Sequence, residues 1–391
     1  MLRSLKGLYH LLIAILANIW FRFPSRGLTV IGITGTDGKT TTTTLIYEIL
    51  KQAGFKSSMI TSVHAVIAGK SYDTGFHVTT PSAWHVQKYL RQAADHGDTH
   101  MVLEVTSHGI AQHRIFGIRF AVAVITNVTH EHIDWHGTFQ AYLATKLSLL
   151  GRAQIGVINK DENELYTKAR ALLMRKRYIT YGIRRDAVVT PKTYPFKTSL
   201  PGEFNKYNIL AALAATCEAL SIDKAVALRR IASFRGVPGR METIVSKPFR
   251  VIIDFAHTPN GLLKALSAAR LLTPKQLIHV FGSAGLRDSL KRPMMGKISA
   301  QHADVSVLTE EDYRTENLDR ILDQIASGMP RGTRVYRYKD RREAIAFAVS
   351  LAQPGDTVIV TGKGHERSLA RGKKEYPWSD ELEVKKALKK H

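Results

Sequence analysis

The chain has 391 residues, 44% of them hydrophobic and 23% charged, which excludes a disordered polyelectrolyte and leaves room for two or three domains of ordinary size. Its formal net charge of +23 implies attraction to polyanions, whether nucleic acid, acidic membrane or a phosphorylated or carboxylated substrate. A single cysteine, Cys217, can form no internal disulfide, which fits a reducing, cytoplasmic setting.

Residues 8–21 are nearly all apolar and are bracketed by Arg3, Lys6, Arg22 and Arg26. As a 14-residue helix this stretch reaches only about 21 Å at ~1.5 Å per residue, short of the ~30 Å hydrocarbon core of a bilayer. It resembles a signal peptide in charge and length, but no A-x-A-like cleavage site follows. Two readings stand. One is an interfacial helix, with Trp20 and the flanking bases at the headgroup level of an anionic membrane; the other is a helix packed on the protein's own core.

From residue 28 to about 234, short β-rich runs alternate with helical periods. The pattern predicts strands over 28–34, 58–61, 101–105, 121–127 and 155–159, and helices over 40–52, 83–94 and 141–150. Such alternation argues a mostly parallel sheet covered by helices, with ligands at the carboxyl ends of its strands. A second alternation begins near Gly236, with strands over 250–254, 276–281, 304–308 and 357–361 and helices over 261–272, 318–325 and 341–351. The stretch 236–239 reads as a hinge. The fold class is α/β: a P-loop-type central ATPase domain over 28–235 and a Rossmann-like C-terminal domain over 236–391, preceded by the apolar basic helix of 1–27.

The strongest chemical signal lies at residues 30–45, V-I-G-I-T-G-T-D-G-K-T-T-T-T-T-L. Gly35 and Gly38 allow a tight turn whose N–H groups face inward. The helix N-terminus adds partial positive charge, Lys39 can reach the β/γ-phosphates, and Thr40 offers a hydroxyl to Mg²⁺. An ordinary glycine-rich turn needs neither the lysine nor the threonine. The usual pattern wants glycine at position 33, where this chain has isoleucine, so this is a variant phosphate loop.

Glu104 ends an apolar strand and could hold Mg²⁺ as a hard oxygen ligand or sit in a buried salt bridge. Residues 129–136, T-H-E-H-I-D-W-H, are dense in metal-capable side chains, yet the spacing fits neither H-E-x-x-H nor a Cys/His framework. An Mg²⁺ or phosphate-handling loop suits them better than zinc. In the second half three strand ends carry charge, imidazole or glycine: 254–260, 282–288 and 362–366. Together they point to a cleft between the two domains.

With these residues in view, the chain resembles the Mur ligase family, most closely its UDP-N-acetylmuramoyl-tripeptide synthetase type. The resemblance covers about residues 28–366 and rests on an ordered series: G-T-D-G-K-T-T at Gly35, T-T-P at Thr79, E-V-T-S-H-G-I-A-Q-H-R at Glu104, T-N-V-T-H-E-H-I-D-W-H-G at Thr126, G-E-F-N-K-Y-N-I-L-A-A at Gly202, G-V-P-G-R-M-E at Gly236, D-F-A-H-T-P at Asp254, R-D-S-L-K-R-P-M-M-G at Arg287 and G-K-G-H-E at Gly362.

The resemblance implies an ATP-dependent, ADP-forming ligase of peptidoglycan and cell-wall synthesis, and so of cell shape and division. In such a ligase a peptide carboxylate is phosphorylated and the acyl phosphate is attacked by an amino acid's amine. It implies that Gly35, Thr36, Asp37, Gly38, Lys39, Thr40 and Thr41, with Asn205, Arg240 and Asp254, bind ATP. It further implies two Mg²⁺ sites, drawn from Thr40, Glu104, His132 and Lys146. Lys146 matches a lysine that becomes carbamylated, against the plain reading of a solvated helix lysine. Thr79, Thr80, Ser107, Gln112 and Arg114 would hold the muramoyl-peptide side, and His257, Arg314, Gly362 and Glu366 the remaining substrate contacts, the last three facing the amino acid.

Two departures qualify the resemblance. Only about 27 residues precede the phosphate-loop strand, where the family carries a domain that grips UDP. The expected acceptor is therefore an anionic muramoyl peptide on a carrier recognised without UDP, such as a lipid at the inner face of the membrane. Where diaminopimelate-adding relatives read D-N-P-R, this chain has Glu311-Asp312-Tyr313-Arg314, which leaves the added amino acid open. A folylpolyglutamate or cyanophycin-type ligase is the alternative within the superfamily. A nucleic-acid-binding NTPase is favoured only by the charge, since no reader motif accompanies it, and nucleic acid is not an expected partner. The expected enzyme is a cytoplasmic monomer, peripheral at the membrane through its N-terminal helix.

Overall fold

The structure is a computed structural model and describes residues 2–72, 80–129 and 133–390. The chain forms two compact units, one made of the residues through Ser199 with Phe204–Arg235, the other of Leu200–Glu203 with the residues from Gly236 onward.

The sheet of the first unit contains β1 (Thr29–Thr34), β2 (Ser57–Ile60), β3 (Ala65–Ile67), β4 (Lys70–Tyr72), β5 (His100–Glu104), β6 (Phe120–Ile125), β7 (Ala153–Asn159) and β8 (Arg177–Tyr181), in the order β4-β3-β2-β5-β1-β6-β7-β8. All neighbours are parallel except the antiparallel pairs β2–β3 and β3–β4 at one edge. Helices α1 (Leu2–Trp20), α2 (Lys39–Gln52), α3 (Ala83–Asp95), α4 (Ser107–Ala111), α5 (Ile133–His136), α6 (Phe139–Gly151), α7 (Asn163–Leu172), α8 (Glu203–Leu213) and α9 (Lys224–Ser233) complete the unit.

β1 is central because it is apolar on both faces: Val30, Ile31 and Ile33 are fully buried, as a parallel strand covered on both sides requires. The order also decides what surrounds the segment after β1. The chain leaves β1 toward β2 on one side and crosses later to β6 on the other, so β1 lies at a switch point flanked by the ends of β5 and β6. Side-chain caps start the helices there: Thr106 accepts from Gly109 N, and Thr138 from Ala141 N.

The N-terminal helix is longer than the apolar run suggests. It runs from Leu2 over 19 residues, because Leu2, Arg3, Leu5 and Lys6 are good helix formers and no proline interrupts the run, so the single Gly7 is tolerated. Among the described residues no helix is long and apolar enough to cross a membrane. The apolar stretch around Cys217 is helical in two forms: α8 ends at Leu213 and a π-helix follows over Ala214–Ala219. The Cys217 thiol there is pushed up to about 11 by burial, so it is no thiolate nucleophile near neutral pH.

The second unit holds β9 (Glu242–Val245), β10 (Arg250–Asp254), β11 (Leu277–Phe281), β12 (Val305–Leu308), β13 (Val335–Arg337) and β14 (Thr357–Thr361), ordered β13-β12-β11-β14-β10-β9, with a hairpin of β15 (Ser368–Arg371) and β16 (Lys374–Pro377). Its helices are α10 (Pro259–Leu271), α11 (Lys291–His302), α12 (Leu318–Ala326), α13 (Arg341–Leu351) and α14 (Asp380–Leu388). β11, β14 and β10 are parallel neighbours, so their three carboxyl ends lie side by side.

Two ion pairs fasten the loops at that edge. Arg341 and Asp380, both fully buried, form a bidentate pair, Nε to Oδ1 at 2.8 Å and Nη2 to Oδ2 at 2.8 Å. Arg292, also buried, donates Nη1 to Glu316 Oε1 at 2.6 Å and Nη2 to Oε2 at 2.8 Å. Glu316 in turn accepts from Leu286 N at 2.8 Å, tying down the loop after β11.

The Arg292 guanidinium holds the Glu316 carboxyl down to about 2 from the ordinary 4.5. A depressed carboxyl stabilises the fold above its unfolded pKa and loses that contribution as pH falls through the folded one. The Glu316→Gln variant is therefore expected to be about 3 kcal/mol less stable than wild type near pH 6, with the gap closing below about pH 4.5. An unchanged gap at about pH 2.5, measured by denaturant unfolding, would rule this origin out.

Candidate active site

The phosphate-loop residues of the first unit are held by close approach. Gly35 has φ 150° and Gly38 φ 81°, and a Cβ at either would lie 1.8 Å from Thr126 Oγ1 or 2.2 Å from Asn208 Oδ1. Only glycine fits at these two positions. The loop after β6 clamps the turn: Asp37 N donates to Asn127 Oδ1 at 3.0 Å, Thr126 Oγ1 donates to Asp37 O at 2.7 Å, and Thr36 N donates to Asn127 O at 2.8 Å. Lys39 Nζ folds back onto Gly35 O at 3.0 Å and Thr36 O at 2.8 Å. Thr41 follows in the first turn of α2 and is buried.

Beside the loop, oxygen donors converge. Thr40 Oγ1 shares a hydrogen bond of 2.9 Å with Ser62 Oγ, and Ser62 N donates to Glu104 Oε2 at 3.0 Å. The Ser62 hydroxyl also lies 3.3 Å from Glu104 Oε2. Two hydroxyls and one buried carboxylate form an all-oxygen set, which suits Mg²⁺ and does not suit zinc. Among the described residues no group of three or more His, Cys, Asp or Glu stands ready for a metal ion.

Lys146, on α6, is buried where a plain solvated lysine was one of two expectations. Its Nζ donates to Gly35 O at 2.6 Å and lies 4.6 Å from the centroid of the Tyr142 ring, while Tyr142 OH meets Thr36 Oγ1 at 3.1 Å. α6 thus also reaches the phosphate loop, through Lys146 and Tyr142. His136 lies near Tyr142, and His108 near Trp135. His132 and Thr79 lie outside the described residues.

The other residues expected on the peptide side gather beside Glu104. Thr80 Oγ1 donates to Glu104 O at 3.2 Å and accepts from Thr106 N at 3.0 Å. Arg114 donates through Nη1 to Thr80 O, and through Nε and Nη2 to Gln112 Oε1 at 3.0 and 2.6 Å. Ser107 is buried at the start of α4. Asn205 is joined to Asn208, whose Nδ2 donates to Asn205 Oδ1 at 3.0 Å, and Asn208 abuts Gly38, so Asn205 stands one residue removed from the loop.

In the second unit, Asp254 ends β10 and accepts from Met241 N at 2.7 Å and Ala256 N at 2.8 Å. The Arg240 guanidinium stacks 4.2 Å above the Phe255 ring, and His257 Nδ1 sits 2.9 Å from Phe255 O. Arg314, with φ 52°, donates Nη1 to Gly285 O at 2.9 Å. It lies 4.0 Å from Asp312, which accepts from the buried Lys363 Nζ at 2.9 Å; Lys363 also pairs with Glu366 at 2.5 Å. Arg314 and Glu366 are thereby linked through Asp312 and Lys363, which the sequence motifs contain but to which no role was assigned. Burial pushes the Glu311 carboxyl up, and its Oε2 would stand 2.8 Å from a Cβ at Gly362.

A glycine-clamped loop with its lysine, an oxygen cluster beside it and a switch-point sheet beneath define a phosphate-handling α/β enzyme. Residues 33–216 match the family description "Mur ligase middle domain" and residues 239–364 match "Mur ligase, glutamate ligase domain". The chain belongs to the Mur ligase family, ATP-dependent enzymes that form amide bonds.

Among its relatives, a UDP-N-acetylmuramoyl-L-alanyl-D-glutamate--2,6-diaminopimelate ligase of Thermosynechococcus vestitus is 38% identical, over 96% of this chain and 79% of that protein. A UDP-N-acetylmuramyl-tripeptide synthetase of Deinococcus radiodurans is 39% identical, over 93% and 79%. A solved structure of a 2,6-diaminopimelate ligase aligns at TM-score 0.63 and 29% identity, over 93% of this chain and 78% of that one. The folylpolyglutamate synthase of Mycobacterium tuberculosis aligns at TM-score 0.72 over 91% and 92%, and at 20% identity that likeness is one of fold.

Proposed function

We propose that this chain uses ATP to add an amino acid to a muramoyl-peptide precursor, through an acyl phosphate. The observation that carries the reading is the meeting of Lys39, Thr40, Ser62, Glu104 and Lys146 around one glycine turn. In the proposed reaction a peptide carboxylate oxygen attacks the γ-phosphorus and ADP leaves. The amine nitrogen then attacks the acyl carbon, the acyl C–O bond breaks, phosphate departs with the electron pair, and the nitrogen gives up its proton.

Thr40 and Glu104 would hold Mg²⁺, which supplies charge neutralisation at the phosphates. With the N–H groups of Thr36 and Asp37 held by Asn127, those at the start of α2 bind the β-phosphate oxygens, and Lys39 exchanges its two carbonyl partners for the transferring phosphoryl group. Arg114, itself oriented by Gln112, takes an acidic group of the peptide, and Asn205, Arg240 and Asp254 contact the nucleotide. Arg314 and Glu366 receive the carboxylate and ammonium ends of the amino acid. The enzyme works as a monomer on the cytoplasmic side, peripheral at the membrane, on an acceptor whose carrier is anionic.

Phosphate release from ATP tests the reading when measured with a panel of amino acids against UDP-linked and lipid-linked muramoyl peptides. Release is expected only when acceptor and amino acid are both present. Turnover of a folyl or aspartyl-polymer acceptor, with none on muramoyl peptides, would overturn it. We further propose that Lys146 carries a carbamate. Lys146→Ala is then expected to lose activity that short carboxylates restore, and the intact wild-type protein to lose CO₂ on acidification in mass spectrometry; an acid-stable, unmodified mass would reject the carbamate.

A further inference from the structure

Helix α1 is two-faced. Ala14, Ala17 and Asn18 are buried on its inner side, where Asn18 Nδ2 donates to Phe116 O at 2.8 Å. The outer side leaves Leu8, Tyr9, Leu12, Leu16, Ile19 and Trp20 each between 51 and 71% exposed. Their spacing repeats every three to four residues, so they form one stripe along the helix. A continuous exposed stripe of this length on a protein surface marks a place where something binds.

A second feature lies near it. An open recess of about 650 Å³ is lined by Arg119, Arg152, Arg175, Lys176 and Arg177, with no acidic residue in its wall. Lys176 and Arg177 are tied to the backbone carbonyls of Gly151, Ala153 and Glu218. Among the described residues, the side chains of Arg119, Arg152 and Arg175 donate to no protein acceptor. Met174, 79% exposed, stands directly before Arg175. The segment leaving α1 is fastened to the same edge, for Ser25 Oγ accepts from Arg119 N at 3.3 Å and lies 3.5 Å from Gly117 O.

Arg119 and Arg152 immediately precede β6 and β7, and Arg177 begins β8, so the recess opens at the amino edge of the sheet. The phosphate loop follows the carboxyl end of β1. One strand, about 20 Å at ~3.3 Å per residue, separates the two edges, and a partner at one leaves the other free.

We propose that the recess takes the phosphate headgroups of anionic lipids while the apolar stripe of α1 lies in the bilayer interface, docking the protein with its phosphate loop facing away. The inference rests on the peripheral-membrane part of the reading above and names the surface that performs it. Charge selects the occupant. A second copy of this chain would bring the same cations and another net +23 against the recess, whereas an anionic bilayer offers both hydrocarbon for the stripe and phosphates for the arginines.

The test is sedimentation of the full chain with vesicles of phosphatidylcholine alone or mixed with phosphatidylglycerol, at low and high salt. Binding is expected to be roughly tenfold or more tighter to the anionic vesicles and to weaken with salt. The triple variants Leu8→Gln/Leu12→Gln/Leu16→Gln and Arg119→Gln/Arg152→Gln/Arg175→Gln are each expected to lose about tenfold of that binding. Both should keep wild-type phosphate release in buffer and wild-type circular dichroism, since these side chains are exposed.

Equal binding to neutral and anionic vesicles, or undiminished binding by either triple variant, would overturn the proposal. So would a dimer in sedimentation velocity that the leucine variant abolishes, which would make the stripe a self-association face. Vesicle binding by a protein that turns over no acceptor would leave the docking surface standing and sink the ligase reading instead.

Discussion

Lys39→Ala is expected to lower ATP-dependent phosphate release by about 10³-fold, with the unfolding midpoint little changed. The ammonium lies within 3.0 Å of two loop carbonyls, so it already occupies the mouth of the turn that receives phosphate. Charge develops on the transferring phosphoryl group only in the transition state, and a fixed cation there acts on the rate more than on ground-state binding. A second amine nearby, that of the buried Lys146, also contacts Gly35 O and lies 4.6 Å from the centroid of the Tyr142 ring. Rapid-quench measurement of phosphate, together with calorimetric nucleotide binding, separates the two effects. A loss under tenfold would mean that Lys39 is not the charge that matters.

Asp380→Ala is expected to destabilise the protein by about 3–5 kcal/mol, the largest stability effect of any single change proposed for it. The carboxylate accepts two bonds from Arg341 and one from Trp378 Nε1, at 2.8 Å each, with the ion pair fully shielded from water. Removing it leaves a fully buried guanidinium without its bidentate partner, its charge offset only by the carboxylates of Glu310 and Glu311. Arg341 also donates to Thr361 O at 2.8 Å, the last residue of β14, so the damage should spread to the Gly362 turn. Urea unfolding of the full chain measures the loss. An Asp380→Ala penalty below about 1 kcal/mol would contradict the pair's role, and Asp380→Asn, which keeps the shape, should fall between the two.

Much of this was legible in the sequence, and the reasons are physical. Strands 250–254 and 357–361 and helix 341–351 were readable to the residue, because apolar β-branched runs end at Asp, Gly or Pro and helical periods start at an Asp cap. The phosphate loop was readable because its glycines, lysine and threonine are contiguous. Residues supplied from elsewhere in the chain were not readable. Ser62 sits in an unmarked T-S-V-H stretch and reaches Glu104 only because β2 pairs with β5. Asn208 looks like an ordinary helical polar residue until the turn of Gly38 closes against it. Asp312 and Lys363 are 51 positions apart and meet only when β12 and β14 flank β11. The length of α1 was underestimated because hydropathy marks where a helix is apolar, and helix propensity decides where it starts.

The two carbonyl bonds of Lys39 have a kinetic meaning. In the turn as it stands, the ammonium is satisfied by the very loop it serves, as a latch is held by its own door frame. Under the function proposed above, a nucleotide has to draw the ammonium away from both carbonyls as it enters, so binding and the placement of Lys39 become one event. A triphosphate spans the distance from the turn to the lysine in a single molecule, whereas inorganic phosphate, though a dianion near neutral pH, meets only one of them at a time.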